Sequence, residues 1–116
     1  MNEQFTKFYF MLKELRENSS SKEKVSILKR YNCKSVKELL FLALDYRFVY
    51  NLKKLPKSTK NYTGSYNEIR SFLFTLSKQT GTKKKEAQEL ANLCSDKKVR
   101  YVVECILEKD LKWSVS

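Results

Sequence analysis

Turn-forming residues are scarce in this chain, and that scarcity constrains its fold more than any other feature. Its 116 residues include two glycines and one proline. A β-sandwich or β-barrel of this length needs many such residues at its turns, so we expect an all-α fold. The hydrophobic share of 41% is enough for one core at this length. We therefore predict a single helical domain over residues 1–116.

Apolar residues recur at helical spacing along most of the chain. Residues 36–44 are apolar almost all round, which is typical of a helix at the centre of a bundle. The capping-box pattern, serine followed three residues later by glutamate, occurs at Ser35 and at Ser65, and each serine is predicted to begin a helix. Ser95 is a third candidate cap. These patterns predict a bundle of about six short helices with one irregular basic connection at about residues 51–64.

Several classes of site are excluded by what the sequence lacks. Histidine, the commonest general base, is absent, and neither glycine lies in a phosphate-binding motif. The three cysteines have no partner at metal-ligand spacing, so we expect buried thiols in a reducing compartment. We expect no catalytic residue, no metal ligand, no resident cofactor and no enzymatic activity in this chain. The lack of a long apolar run and of a secretory signal predicts a cytoplasmic protein without a membrane partner.

The positive charge is unevenly distributed. The chain has 24 lysines and arginines against 13 acids, a net charge of +11, yet residues 46–67 contain no acid at all. In that stretch, tyrosines and a phenylalanine alternate with five bases, a pattern that suits a phosphate backbone. The simpler interpretation is a solvated lysine-rich loop with its aromatic residues in the core. The five bases are Arg47, Lys53, Lys54, Lys57 and Lys60.

Lysines also lie where two helices are predicted to begin. A helix N-terminus already carries about half a positive charge, so lysine there is unfavourable unless an anion binds. No helix rich in Arg, Asn and Gln stands out to read bases, so we expect DNA contacts with little sequence preference. The alternative is a tolerated bias in a lysine-rich proteome. The candidate DNA-binding residues here are Thr80, Gly81, Thr82, Lys83, Lys84, Lys85, Lys97 and Lys98.

The order of these segments resembles the N-terminal DNA-binding domain of the ATP-dependent DNA ligases of T-even-type bacteriophages. The resemblance runs along nearly the whole chain. Its most telling part is residues 39–47 followed by residues 50–57, which read LLFLALDYR and YNLKKLPK. Residues 72–76, the Thr80-Gly81 pair and residues 109–116 follow in the family's order, although Ser114 stands where the family usually has glycine.

The resemblance implies an all-α domain that contacts the duplex beside a nick, largely through the minor groove and the backbone. Lys53, Lys54, Lys57 and residues 80–85 would be backbone contacts, and the partner would be double-stranded, nicked DNA. The adenylated lysine of these ligases lies in a lysine-any-aspartate-glycine motif, and this sequence contains no Asp-Gly pair. ATP and Mg²⁺ would therefore belong to a catalytic domain that follows in the polypeptide. We expect a monomer that does not itself seal nicks.

The alternative is a stand-alone small phage protein that uses the same helical fold to bind an acidic protein partner. Its charge would then steer association rather than bind phosphates. Co-purification with nucleic acid, measured as the ratio of absorbance at the nucleic-acid and protein maxima, separates the two hypotheses.

Overall fold

Six α-helices make up the structure, a computed structural model that describes residues 3–18, 20–52, 54–79 and 83–111. The predicted all-α bundle is confirmed. In the described ranges no sheet is present, and one isolated antiparallel bridge joins Thr63 to Cys94. None of these helices has the length and apolar content that a membrane-spanning segment needs. The helices are α1 (Glu3–Glu17), α2 (Ser21–Arg30), α3 (Lys34–Leu44), α4 (Tyr66–Leu76), α5 (Lys84–Leu93) and α6 (Lys97–Glu108).

The helix with the most buried side chains among the described residues is α6. It packs against both α1 and α3, and the side chains of Val102, Val103 and Ile106 are fully buried. Each such side chain contributes about 1.5–3 kcal/mol to folding by leaving water. The sequence predicted a central position for α3, and α3 does pack against α1, α4 and α6. One face of α3 packs on its neighbours, but Phe41 and Leu44 on another face are 46% and 50% exposed.

The long connection between α3 and α4 covers residues 45–65, so it begins earlier than the predicted residues 51–64. It is held firmly to the bundle. The side chain of Tyr50 is buried, and its hydroxyl donates a 2.7 Å hydrogen bond to the carbonyl of Leu42 in α3. Further along, the backbone N–H of Leu55 donates to a carboxylate oxygen of Glu104 in α6 at 3.1 Å. The connection is therefore an ordered part of the surface.

Only one of the two predicted capping boxes forms. Ser65 caps α4, and Glu68 returns a hydrogen bond to the Ser65 backbone N–H, as predicted. The box at Ser35 is wrong, because α3 begins at Lys34 with Cys33 as its N-cap. The carboxylate of Glu38 turns instead to α4, where it accepts hydrogen bonds of 2.9 Å from the Tyr66 hydroxyl and the Arg70 guanidinium. Glu38 therefore accepts hydrogen bonds from two side chains of α4, one of them charged, instead of from the single backbone N–H that a capping box offers.

Candidate nucleic-acid interface

The second half of the long connection lies along α5. The backbone N–H of Thr59 donates a 2.8 Å hydrogen bond to the side-chain oxygen of Asn92, and the Thr59 hydroxyl donates to the same oxygen at 3.1 Å. One turn earlier on the helix, the amide of Gln88 donates to the carbonyl of Lys57 at 3.1 Å. It also donates to the Asn92 oxygen, which fixes the orientation of both side chains. These contacts set the path of residues 57–60.

The junction between α5 and α6 holds the next part of the connection. The hydroxyl of Ser95 donates to the carbonyl of Lys60 at 2.6 Å and accepts from the backbone N–H of Tyr62 at 2.9 Å. Ser95 therefore does not cap α6, contrary to the prediction. Asp96 is the cap, since its carboxylate accepts from the backbone N–H groups of Lys98 at 2.8 Å and Val99 at 3.2 Å. Because Asp96 caps α6, the Ser95 hydroxyl can hydrogen-bond with the connection instead of with the start of α6.

These contacts hold together three segments that carry four exposed lysines. Lys57 and Lys60 lie on the connection itself. Lys84 lies one turn before Gln88, hence on the same face of α5. Lys97 follows the Ser95 junction by two residues. Among the residues that the structure describes, none of the four forms an ion pair. We call this set, Lys57, Lys60, Lys84 and Lys97, the basic seam.

The lysine run at the start of α5 is divided among three environments. Lys83 is buried, with 5% of its surface exposed, and its ammonium donates to the carbonyls of Tyr50 and Leu76. Burial also lowers the pKa of this ammonium. Lys83 is therefore removed from the predicted phosphate contacts, because its donors are already used inside the protein. Lys85 lies on the side of α5 that faces α4, where it lines a cavity of about 270 Å³ together with Glu86 and Glu89.

Three other predicted bases have partners within the protein. The ammonium of Lys54 lies 3.7 Å from the carboxylate of Glu108. That of Lys98 lies 5.5 Å from the centre of the Phe10 ring on α1. Arg47 forms a double hydrogen bond with Asp45, at 3.0 and 2.8 Å. This hydrogen bonding lowers the pKa of the Asp45 carboxyl to about 2. These bases are only partly available to a ligand.

Four predicted site residues lie outside the described residues: Lys53, Thr80, Gly81 and Thr82. The tyrosines of the acid-free stretch 46–67 divide between core and surface. Tyr50 and Tyr66 belong to the core, whereas Tyr46 and Tyr62 are exposed. The hydroxyl of Tyr62 donates to Glu68 at 3.1 Å, so this ring is held at the surface beside the seam.

Comparison with known proteins does not decide the family. No protein-family model, curated protein or solved structure matches this chain. The function is therefore inferred from the chemistry of the surface. In the described ranges, no group of three His, Cys, Asp or Glu side chains is placed to hold a metal ion. The basic seam offers ammonium groups without carboxylate partners, and such groups bind phosphate oxygens.

Sequence reasoning missed the residues that assemble the seam, namely Gln88, Asn92 and Ser95. Polar side chains on a helix usually face solvent, so nothing in the sequence distinguished Gln88 and Asn92, and Ser95 was expected to cap α6 instead. The one available signal was the spacing of four between Gln88 and Asn92, which places them on the same helix face. What they bind lies more than 30 residues away in the chain.

Proposed function

We propose that this chain binds duplex DNA through the phosphate backbone, as the N-terminal domain of an ATP-dependent DNA ligase that holds nicked DNA for a catalytic domain. The observation that carries the proposal is the basic seam. Hydrogen bonds between the connection, α5 and the α5–α6 junction hold together the three segments that carry these exposed lysines, which supports the proposal. The resemblance in segment order supplies the ligase context.

The seam suits phosphates better than base edges. Lysine ammonium groups contact phosphates as point charges, and such contacts fix position on DNA without reading its sequence. The amides nearest the seam, Gln88 and Asn92, are the side chains that would read adenine. Both are already hydrogen-bonded to each other and to the connection. Binding is therefore independent of sequence in this proposal.

The catalytic chemistry lies elsewhere in the polypeptide in this proposal. The chain contributes no nucleophile and no nucleotide contact, and ATP and Mg²⁺ act in the catalytic domain. What this domain supplies is positioning. Each lysine that neutralises a phosphate releases condensed counterions, so four contacts predict a slope of about −3.6 for the logarithm of the binding constant against that of the salt concentration.

The test is a titration of a labelled nicked duplex and its intact twin at several salt concentrations. The first variant changes all four seam lysines to glutamine. The matched control changes four exposed lysines of α2 and α3, so that both variants lose the same charge. These are Lys22, Lys29, Lys34 and Lys37. We expect the seam variant to lose most of the affinity and most of the salt dependence on both duplexes, and the control to lose little. Equal losses in the two variants would refute a localised interface.

A further inference from the structure

A row of aromatic rings follows the edge where α1 meets α6, and a cation lies at each end of it. The ring of Tyr9 is in the middle, with its centre 5.5 Å from that of Phe10 and 5.5 Å from that of Tyr101 on α6. The ammonium of Lys98 lies 5.5 Å from the centre of the Phe10 ring. The guanidinium of Arg16 lies 5.7 Å from the centre of the Tyr101 ring. We call these five residues the cation–ring row.

Both cations are exposed to solvent but are held in position by the protein. Nη1 of Arg16 donates a 2.8 Å hydrogen bond to the Tyr101 hydroxyl, which is its one hydrogen-bond partner among the described residues. The other N–H groups of this guanidinium can therefore bind an anion. In the described ranges, neither Arg16 nor Lys98 forms an ion pair. A side chain that is already in position loses less conformational freedom when it binds a ligand.

The row itself contains no acid, and two acids of the same helices have partners elsewhere. Glu14 of α1 accepts a hydrogen bond from Arg30 of α2. Glu104 of α6 accepts one from the backbone N–H of Leu55 in the long connection. Glu17, the last residue of α1, is exposed and forms no ion pair in the described part of the chain. The row therefore presents two positive charges that no described carboxylate neutralises.

The cation–ring row begins next to the basic seam. Lys98 directly follows Lys97, a seam residue, in the first turn of α6. The Asp96 carboxylate in this region is occupied, because it accepts hydrogen bonds from the backbone N–H groups of Lys98 and Val99. A polyanion bound along the seam would thus meet further unpaired cations on the α1–α6 edge. A second copy of this chain is a poor partner, because each copy carries a net charge of +11.

We infer, on the basis of the proposed function, that the cation–ring row is a second contact surface for the DNA backbone, where Arg16 and Lys98 each bind a phosphate. Arg16 offers a planar fork that matches phosphate oxygens, and Lys98 offers a point charge. Tyr101 is a positioning residue, since its hydroxyl holds the Arg16 fork. Six phosphate contacts in place of four predict a slope of about −5.4 for log affinity against log salt, in place of about −3.6.

The test compares two variants of the full chain that lose the same charge. Arg16→Gln combined with Lys98→Gln changes the row. Lys37→Gln combined with Lys78→Gln is the control, because both lysines are exposed and Lys78 also lies over a phenylalanine ring. Fluorescence anisotropy of a labelled nicked duplex at several salt concentrations measures affinity. We expect the row variant to bind about tenfold more weakly in about 0.1 M salt, with a slope smaller by about 1.8, and the control to change affinity by less than about twofold.

Two conservative variants separate charge from position. Arg16→Lys keeps the charge but loses the fork, so affinity should fall about threefold while the slope is retained. Tyr101→Phe keeps the ring and removes the acceptor that holds Arg16. It should weaken binding about two- to threefold without changing the slope, because the charge is intact but no longer held in place. Hydroxyl-radical footprinting should show a protected region that is shorter at one end for the variant with both row cations replaced.

Other outcomes would overturn the inference. If the row variant and its control bound DNA equally well while the seam variant lost affinity, the row would have no part in DNA binding and the proposed function would stand. If the unmodified chain bound neither duplex at low salt, both would be refuted. If the row variant lost affinity for labelled polyglutamate and not for DNA, the row would be a contact for an acidic protein. Circular dichroism of each variant checks that a loss does not come from unfolding.

Discussion

The ammonium of Lys83 donates a 2.9 Å hydrogen bond to the carbonyl oxygen of Leu76, and so joins the start of α5 to the end of α4. The same ammonium donates to the carbonyl of Tyr50 in the long connection. A lysine that the sequence placed in a phosphate site therefore joins three segments of the fold. Cations near a helix C-terminus are stabilised by the carbonyls that the helix leaves without partners.

Replacing Lys83 with methionine should destabilise the protein by about 2–3 kcal/mol, because two buried carbonyls lose their donor. Urea unfolding followed by circular dichroism measures the change. Lys84→Met is the control, since Lys84 is exposed and should change the free energy of unfolding by no more than about 0.5 kcal/mol. If the two variants were equally stable, the buried ammonium would have no structural role.

Neighbouring lysines on α5 should differ in their effect on DNA binding. Lys84 belongs to the basic seam, whereas Lys85 lies on the side of α5 that faces α4, beside Glu86 and Glu89. Each phosphate contact contributes about 0.9 to the slope of log affinity against log salt. We expect Lys84→Gln to reduce that slope by about this amount, and Lys85→Gln to leave it nearly unchanged. Identical slopes for the two variants would contradict the division of the lysine run.

Asn92 should matter for DNA binding although it carries no charge. Its side-chain oxygen accepts two hydrogen bonds from Thr59, so Asn92→Ala releases the part of the connection that carries Lys57 and Lys60. We expect a loss of about 1–2 kcal/mol in stability, faster hydrogen exchange at the Thr59 amide, and weaker DNA binding. The control is Asn61→Ala, an exposed asparagine of the same connection. Slow exchange at Thr59 in the Asn92 variant would show that other contacts hold this segment.

The Asp45–Arg47 ion pair should stabilise the protein near neutral pH and lose this contribution as the pH falls. Hydrogen bonds from Arg47 lower the pKa of the Asp45 carboxyl from its ordinary value of 3.8 to about 2. A carboxyl with a lowered pKa stabilises the folded state above its unfolded pKa, and the contribution is lost as pH falls through the folded value. The window is therefore about pH 4 to 2. The melting temperature of the unmodified protein should fall as the pH falls through this window. We expect Asp45→Asn to make that fall shallower, and the control Glu89→Gln to leave it unchanged.

Cys33 should be the reactive thiol among the cysteines. Its side chain is partly exposed, and hydrogen bonding to Ser35 lowers its pKa. Cys94 and Cys105 are buried, and burial raises the pKa of Cys94 to about 12. Because the thiolate is the nucleophile, iodoacetamide at neutral pH should modify Cys33 first. Mass spectrometry of the alkylated protein identifies the modified cysteine. In Cys33→Ser the earliest alkylation should be absent. Early modification of Cys94 would show that the core opens.

The sequence by itself determined the class of fold and most helix positions, because these depend on local features. Few turn residues and apolar side chains at helical spacing suffice to predict an all-α bundle. The start of α4 was also predictable, since the Ser65–Glu68 box involves only residues three apart. The box at Ser35 failed for a long-range reason: α4 supplies better donors to Glu38 than the local backbone does.

Only the tertiary structure decided which of the predicted basic residues remain available to a ligand. Composition counts every lysine equally, but the availability of an ammonium depends on which distant group lies beside it. Lys83 is buried between carbonyls of two other segments, and Lys54 lies beside Glu108 in α6. Lys57 and Lys60 are placed beside α5 by Asn92 and Ser95, far away in the chain. Hydrogen bonds of that kind have no local sequence signature, because either partner alone resembles an ordinary solvated side chain.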